Sequence, residues 1–394
     1  AFVAGMGSNN VVVVDAAGLR QPPYGSPGPI EVGEGPTGLA LDEANDRLYV
    51  LNRFDASVSV IDVVTLSEAA RVSFFDPTPE VIRVGRRFLY DTRATSGLGH
   101  LSCASCHVDA RNDRLAWDLG DPQGEVKPLD PEKHNLGMGF PGLTDLFEDF
   151  HPMKGPMVTQ TLQGIVGMEP LHWRGDRDGI EEFNGAFRSL LGDDIELTTE
   201  EMQQFEDYLA TLRFPPNPFR EVDNSLPTDL PLPGHVSIGA FTPAGTALPN
   251  GNAQRGLDLF LPPNNAGTLF SCVTCHTLPT GAGADVEVTG AGTFEEIPAG
   301  PSGERHLALV ANLPLNISTV KTPQLLTQYE KVGMNTTPGG PASIAGFGFS
   351  HDGAIDSLAR ANAFIVVLAS RTAVGPLCAI SDASFRASSS TFSS

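Results

Sequence analysis

Two runs of the chain, Cys103-Ala104-Ser105-Cys106-His107 and Cys272-Val273-Thr274-Cys275-His276, share one pattern of residues that can do chemistry. Each sets two thiols one helical turn apart and places a histidine directly after the second. That spacing is the signature of c-type haem attachment. Each thiol can add to one vinyl group of the porphyrin, and the adjacent imidazole can offer a nitrogen to the iron. Two thioethers hold the group covalently, so a short peptide needs no deep pocket to retain it. A structural zinc site gathers four ligands closely, whereas these two runs lie far apart. A thioredoxin-like redox pair has no use for the trailing histidine. Cys103, Cys106, His107, Cys272, Cys275 and His276 are therefore expected to bind two haem c groups, with His107 and His276 on the irons.

The sixth coordination position then decides the chemistry. Strong ligands on both faces make an electron-transfer haem, and an open face makes a site for peroxide or oxygen. For the haem at His107 the candidates are His172 and Met168, with His151, Met153 and Met157 behind them. His172 leads because histidine is the stronger iron ligand of the set. For the haem at His276 the candidates are Met334 and His351.

The elements that must position these residues follow from composition and pattern. The 394 residues suffice for two or three domains, and 42 Gly with 32 Pro predict many turns and long irregular connections. A net charge of −22, from 47 acidic and 25 basic residues, argues against a nucleic-acid partner. It suits either association with a basic redox partner protein or simple solubility. Cys378 is the one cysteine outside the two motifs, and the expectation is a bystander thiol. Covalent haem c implies a periplasmic or extracellular protein. The stretch from Ala1 lacks a charged and then apolar leader, which fits either a removed leader or a longer natural chain. No run reaches the roughly eighteen apolar residues of a membrane span.

Over residues 1–78, Asn10–Asp15, Thr37–Asp42, Arg47–Asn52 and Ser57–Asp62 read as strands at a regular spacing, the mark of antiparallel β-structure. Their wording resembles blades of a YVTN-type β-propeller, although there is room for a partial propeller only. Residues 79–215 are expected to form the first haem domain. It would open on a helix from Pro79 to Tyr90, with Val81, Val84 and Phe88 at helical spacing. A long loop over 120–155 would cover the haem. The domain would close on a helix started by the Thr198–Glu201 capping box, with Met202, Phe205, Leu209 and Leu212 on one face. Residues 216–250 read as a linker and 235–380 as a second haem domain of the same plan. There Thr322-Pro323 echoes Thr159-Gln160, Val332-Gly333-Met334 echoes Val166-Gly167-Met168, and a closing helix falls over 355–368. Residues 381–394 form a Ser-rich tail. The predicted fold class is two mainly α, loop-rich cytochrome c-like domains behind a small antiparallel β region.

From about residue 79 to 370 the chain resembles the di-haem cytochromes c of the bacterial cytochrome c peroxidase and MauG superfamily. The resemblance rests on both haem motifs, on Leu171-His172-Trp173-Arg174-Gly175-Asp176, on Lys321-Thr322-Pro323 and on Phe349-Ser350-His351-Asp352-Gly353. It implies that Trp173 is the tryptophan between the haems, that His351 is an inter-haem or propionate contact or a ligand, and that a calcium ion is a further candidate cofactor. Two departures matter. The position where the peroxidases carry a Met ligand holds Ile365, and their Gln and Glu over the reactive haem have no matching pattern here.

Two functions therefore compete. One is a one-electron carrier working through two covalent haems. The other is a peroxide-reducing or substrate-oxidising di-haem enzyme with one open face, using Trp173 and an acid–base carboxylate, Glu181 or Glu182. A third reading makes residues 1–78 a docking module.

Overall fold

The structure, a computed structural model, describes residues 1–14, 28–129, 149–231, 237, 242–261, 272–276, 278, 281–282, 286–290, 293–296, 309–311, 319–326, 328 and 348–355. The chain divides into two compact units, Ala1–Arg111 with Ile180–Leu212, and Asn112–Gly179 with Arg213–Ser394.

In the first unit, alternating apolar and polar residues build two small antiparallel sheets. Strands β1 (Phe2–Gly5), β2 (Asn10–Val13) and β3 (Ile30–Glu31) form one, and β4 (Pro36–Asp42), β5 (Arg47–Asn52), β6 (Ser57–Asp62) and β7 (Ser67–Ser73) form a four-stranded meander. Successive strand residues point to opposite faces. In β5 this buries Leu48, Val50 and Asn52 and exposes Tyr49 and Leu51. Val11, Ile30, Val32, Leu48, Val50 and Ile61 from both sheets pack into one core. Asn52 closes the meander from inside, donating to Ser57 Oγ at 2.9 Å and Ser59 Oγ at 2.8 Å.

Helix α1 (Glu80–Tyr90) follows Pro79, whose fixed φ suits a helix start. Its buried face is set by Gly85, Arg86, Phe88 and Leu89, whereas Val81 is 39 % exposed. The apolar spacing alone mistakes that face, because the helix is pressed closest to its neighbour at a residue without a side chain. A Cβ on Gly85 would collide with Gln204 O and Tyr208 Cβ of helix α4 (Thr199–Thr211). The Thr198–Glu201 capping box starts α4: Glu201 N donates to Thr198 Oγ1 at 3.2 Å, and Thr198 N donates to Glu201 Oε2 at 2.9 Å. Met202, Phe205, Tyr208 and Leu209 are buried on it. Phe205 meets Phe88 and Phe187, with ring centroids 6.3 and 6.5 Å apart; Phe187 lies on the short helix α3 (Gly185–Ser189).

The sheets are tied to the segment that carries the first motif. Arg86 stacks 4.8 Å from the Phe54 ring and donates to Phe54 O. Thr92 N, at the start of the one-turn helix α2 (Thr92–Thr95), donates to Gly7 O at 2.9 Å. Arg93 holds Glu31 with two hydrogen bonds of 2.6 Å.

Tyr90 and Tyr208 share a hydrogen bond at the crossing of α1 and α4, and burial pushes both phenols above their ordinary range. A raised folded pKa means the neutral form is the one the fold favours. The contribution is complete below the unfolded value, about pH 10, and is lost as pH rises through the folded values. Denaturant unfolding is expected to show stability falling above about pH 10, with a shallower fall in Tyr208→Phe. An unchanged alkaline slope in that variant would separate the pair from the effect.

In the second unit, β8 (Ala116–Asp118) pairs with β9 (Pro156–Val158). Helix α5 (Ala253–Phe260) starts at Asn252, whose Oδ1 accepts from Arg255 N at 2.8 Å. The one-turn helix α6 (Cys272–Cys275) carries the second motif. Two hairpins follow, β10 (Val286–Gly290) with β11 (Thr293–Glu296), and β12 (Leu309–Ala311) with β13 (Thr319–Lys321).

The expected mainly α class is overturned. The described residues hold thirteen strands in five sheets, and only α1, α4 and α5 are helices of eight residues or more. The high glycine and proline content breaks the haem-motif segments into turns, short hairpins and single helical turns before helices can propagate. Val332-Gly333-Met334 with the ligand candidate Met334, the closing helix beyond Ile355 with Ile365, Cys378 and the Ser-rich tail lie outside the described residues.

Candidate functional site

The first motif is a single tight turn. Cys103–Ser105 forms a 3-10 turn, steadied by Ser102 N donating to Ser105 Oγ at 3.1 Å. His107 N then donates to Cys103 O at 2.9 Å. The second motif repeats that bond, with His276 N donating to Cys272 O at 2.9 Å. One backbone closure thus sets the imidazole relative to the first thiol in both places. Cys103, Cys106 and Cys272 are not joined in disulfides. Burial pushes the Cys103 thiol up to about 11 and that of Cys272 upward as well, so both stand protonated at neutral pH.

His276 makes through Nδ1 the backbone hydrogen bond expected of an iron-ligating imidazole. Its Nδ1 lies 2.6 Å from Gly281 O, which makes Nδ1 the protonated nitrogen and leaves Nε2 with the lone pair. Burial pushes the imidazole pKa down and keeps it neutral, against the carbonyls of Gly281 and Pro323. Gly281 must be glycine: its φ is +69°, and a Cβ would sit 2.8 Å from Leu325 Cβ. Leu325, Leu326 and Phe260 form an apolar bed against which Cys272, Val273, Leu278 and Met168 pack. Met168, a candidate for the first haem, is therefore placed beside the second motif.

These residues fit covalent haem. Each motif supplies thiols and an imidazole on one turn, and one of the imidazoles has its tautomer fixed for ligation. The surroundings are apolar: Leu98, Leu101 and Val108 flank the first motif at 81 %, 47 % and 46 % exposure, and the Phe260 cluster flanks the second. A cavity of about 780 Å³ adjoins Ala104 and Ser105 of the first motif and is lined by Met6, Tyr90, Arg93 and His100 among others. Among the described residues, no group of three or more His, Cys, Asp or Glu comes together to hold a metal ion, so no calcium ligands are identified.

His172 and Trp173 sit in a tight loop closed by Leu171 N donating to Arg177 O at 2.6 Å. His172 takes a left-handed φ of +67°. Its Nδ1 is 2.9 Å from Asp176 Oδ1, a carboxylate–histidine pair that orients the ring. Burial pushes His172 toward neutrality, so Nδ1 carries the proton and Nε2 the lone pair. Asp176 also pairs with Arg174 at 3.0 Å, while Lys127 Nζ donates to its backbone carbonyl at 2.8 Å. Against burial, the hydrogen bond from His172 and the charges of Arg174 and Arg177 hold the Asp176 carboxyl well below the usual range. Arg174 stacks 5.4 Å from the Phe150 ring and donates to His151 O at 2.6 Å.

Trp173 is buried and oriented at both ends. Its Nε1 donates to Val158 O at 2.7 Å, and its carbonyl accepts from Lys321 N at 2.7 Å. Val158 N in turn donates to His351 O at 2.7 Å. Three sequence runs, those of Trp173, Lys321 and His351, thus converge within the second unit. His351 lies in the turn closed by the Phe349–Ile355 bridge, and burial pushes its pKa down.

The other candidates are placed differently. Glu181 and Glu182 are exposed on the 3-10 turn Ile180–Phe183 of the first unit. Met153 is 48 % exposed. His151 is exposed with its Nδ1 accepting from Met153 N at 3.1 Å, and Met157 lies in β9. Sequence reasoning missed Asp176 and Arg174 as the partners of His172 and its neighbours, although both stand in the run that singled out His172.

No protein-family model and no curated protein matches the chain. Among solved structures, a hydrazine synthase chain of Kuenenia stuttgartiensis, pressurised with 20 bar xenon, superposes with a TM-score of 0.41 at 16 % identity, over 81 % of this chain and 88 % of that one. Similarity at that level carries neither fold nor chemistry across. Among the described residues no helix is long and apolar enough to cross a membrane.

Proposed function

We propose that the chain is an exported di-haem c-type cytochrome that passes single electrons between redox partner proteins. The observation that carries this reading is the repeated turn, in which the histidine amide bonds back to the first cysteine carbonyl and the His276 imidazole is fixed by Gly281 for ligation through Nε2. When attached, haem c supplies an iron that cycles between two oxidation states. The chain's own residues do the rest. Cys103, Cys106, Cys272 and Cys275 would anchor the two groups, His107 and His276 would ligate them, and the Phe260 cluster excludes water beside the second motif.

Trp173 is held by Val158 and Lys321 in a single orientation. That suits the relay role the superfamily resemblance implies, because a fixed aromatic ring needs no reorganisation between transfers. His172, its ring oriented by Asp176, would be suited to ligate through Nε2, and His351 would be a candidate ligand at the second haem. The acidic surface suits a basic partner, with association that weakens as salt rises.

The enzyme alternative requires an acid–base group beside an open haem face. Glu181 and Glu182, its candidates, are exposed surface carboxylates. Low-temperature EPR of the oxidised and half-reduced protein separates the two. The carrier predicts two low-spin irons in both states. A high-spin iron in either state would open a substrate position and move the enzyme reading ahead.

A further inference from the structure

Lys321 presents a problem of charge. It is 8 % exposed at the end of β13, and its ammonium reaches the Met168 carbonyl. A backbone carbonyl carries no formal charge, and a lysine ammonium has three donors to satisfy. Glu169 acts on it through space, but its Oε1 accepts from Gly167 N at 3.2 Å. Among the described residues no carboxylate forms an ion pair with Lys321. A buried cation without a counter-ion is costly, and such groups are kept where an anion completes them.

The surroundings indicate which anion. Two residues on from Lys321, the Pro323 carbonyl faces the His276 imidazole. Met168, whose carbonyl the ammonium holds, packs on the same bed as Cys272. Leu325 closes against Gly281, the partner of His276. The adjacent Thr322 is 3 % exposed, and its Oγ1 has no hydrogen-bond partner among the described residues. Lys321 thus belongs to the same small neighbourhood as the second attachment motif, where apolar side chains dominate and a cation stands out.

We propose that the Lys321 ammonium is the buried counter-ion of a carboxylate, and that this carboxylate is a propionate of the haem held by Cys272, Cys275 and His276. The inference rests on the di-haem reading. Its consequence is electrostatic. A cation beside the haem favours the reduced iron, which carries one positive charge fewer. The backbone amide of Lys321 holds Trp173 whatever the side chain is, so charge and orientation can be separated.

The test uses the haem-loaded protein with Lys321→Met and Lys321→Arg. Haem stoichiometry is measured first, by absorbance of the pyridine complex. Full loading keeps the di-haem reading intact and isolates the Lys321 question, whereas a wild-type protein that carries no haem removes the reading on which the proposal stands. Redox titration of each loaded protein then follows. Lys321→Met is expected to lower the reduced-to-oxidised ratio of one haem by about tenfold at fixed ambient potential, about 59 mV for a one-electron couple. Lys321→Arg is expected to restore most of it. The resonance Raman propionate bending band of that haem should shift in Lys321→Met and return in Lys321→Arg. Titration of the wild type with acetate separates the two sources of a carboxylate. A propionate already in place makes the potential insensitive to acetate. A shift with acetate in the wild type that vanishes in Lys321→Met would overturn the propionate assignment in favour of a free small carboxylate. Unchanged potentials and an unchanged Raman band in a fully loaded Lys321→Met would overturn the proposal altogether.

Discussion

Replacing Asp176 by Ala is expected to destabilise the second unit by about 3–5 kcal/mol, the usual consequence of breaking a buried ion pair from one side. The carboxylate side chain is 5 % exposed and pairs with Arg174 at 3.0 Å and His172 at 2.9 Å. Arg174 Nε already has no hydrogen-bond partner among the described residues. Without Asp176 the guanidinium also loses its Nη2 acceptor and its charge is left inside. The loss of the carboxylate also frees the His172 ring to turn. The pH dependence has a definite sign. Because the folded carboxyl is held below its ordinary value, its contribution is complete above about pH 4 and is lost as pH falls toward the folded value. Asp176→Asn should therefore unfold more easily at neutral pH and show a flatter stability profile in acid. Equal stability of Asp176→Ala and wild type in urea would contradict the arrangement.

Gly85→Ala is expected to separate α1 from α4. At an exposed helix position this change stabilises by roughly 0.5–1 kcal/mol. Here the new methyl would strike the Gln204 carbonyl and Tyr208 Cβ. Both belong to the neighbouring helix frame, so neither can swing aside. Overpacking of this kind costs typically 1–3 kcal/mol, and it exceeds the propensity gain. The sign thus reverses, and Gly85→Leu should cost more, because Phe88, Leu89, Phe205 and Leu209 would lose their mutual burial. Urea unfolding of the haem-loaded variants reads the effect. A more stable Gly85→Ala would show that the helices do not cross at this residue.

Much of the first unit is written locally and can be read locally. The strands Arg47–Asn52 and Ser57–Asp62 alternate cleanly, and the Thr198–Glu201 box sits where its residue types demand. The buried face of α1 was not legible from spacing, since Gly85 contributes to packing by having no side chain. The fold class failed for a related reason. Haem motifs predict helical domains, but Cys272 packs on the Phe260, Leu325 and Leu326 cluster, with the Gly281 and Pro323 carbonyls at His276, and strands outnumber long helices among the described residues. At the candidate site, the two Cys-x-x-Cys-His runs are plain because their spacing is local. Asp176 was not, since its significance lies in three partners that only a closed loop brings together. Lys321 lies 148 positions from Trp173, whose carbonyl it holds, and no local pattern carries that pairing. Met168 packs on the Phe260, Leu325 and Leu326 cluster, as Cys272 does, a contact that sequence order does not carry.

The most direct test of the central claim is the intact mass of the protein purified from a host that matures c-type cytochromes, measured under denaturing conditions. The account predicts the polypeptide plus two haems, falling to one in Cys103→Ser with Cys106→Ser and to one in Cys272→Ser with Cys275→Ser. The bare polypeptide mass in the wild type, or two haems surviving in either double variant, would contradict it.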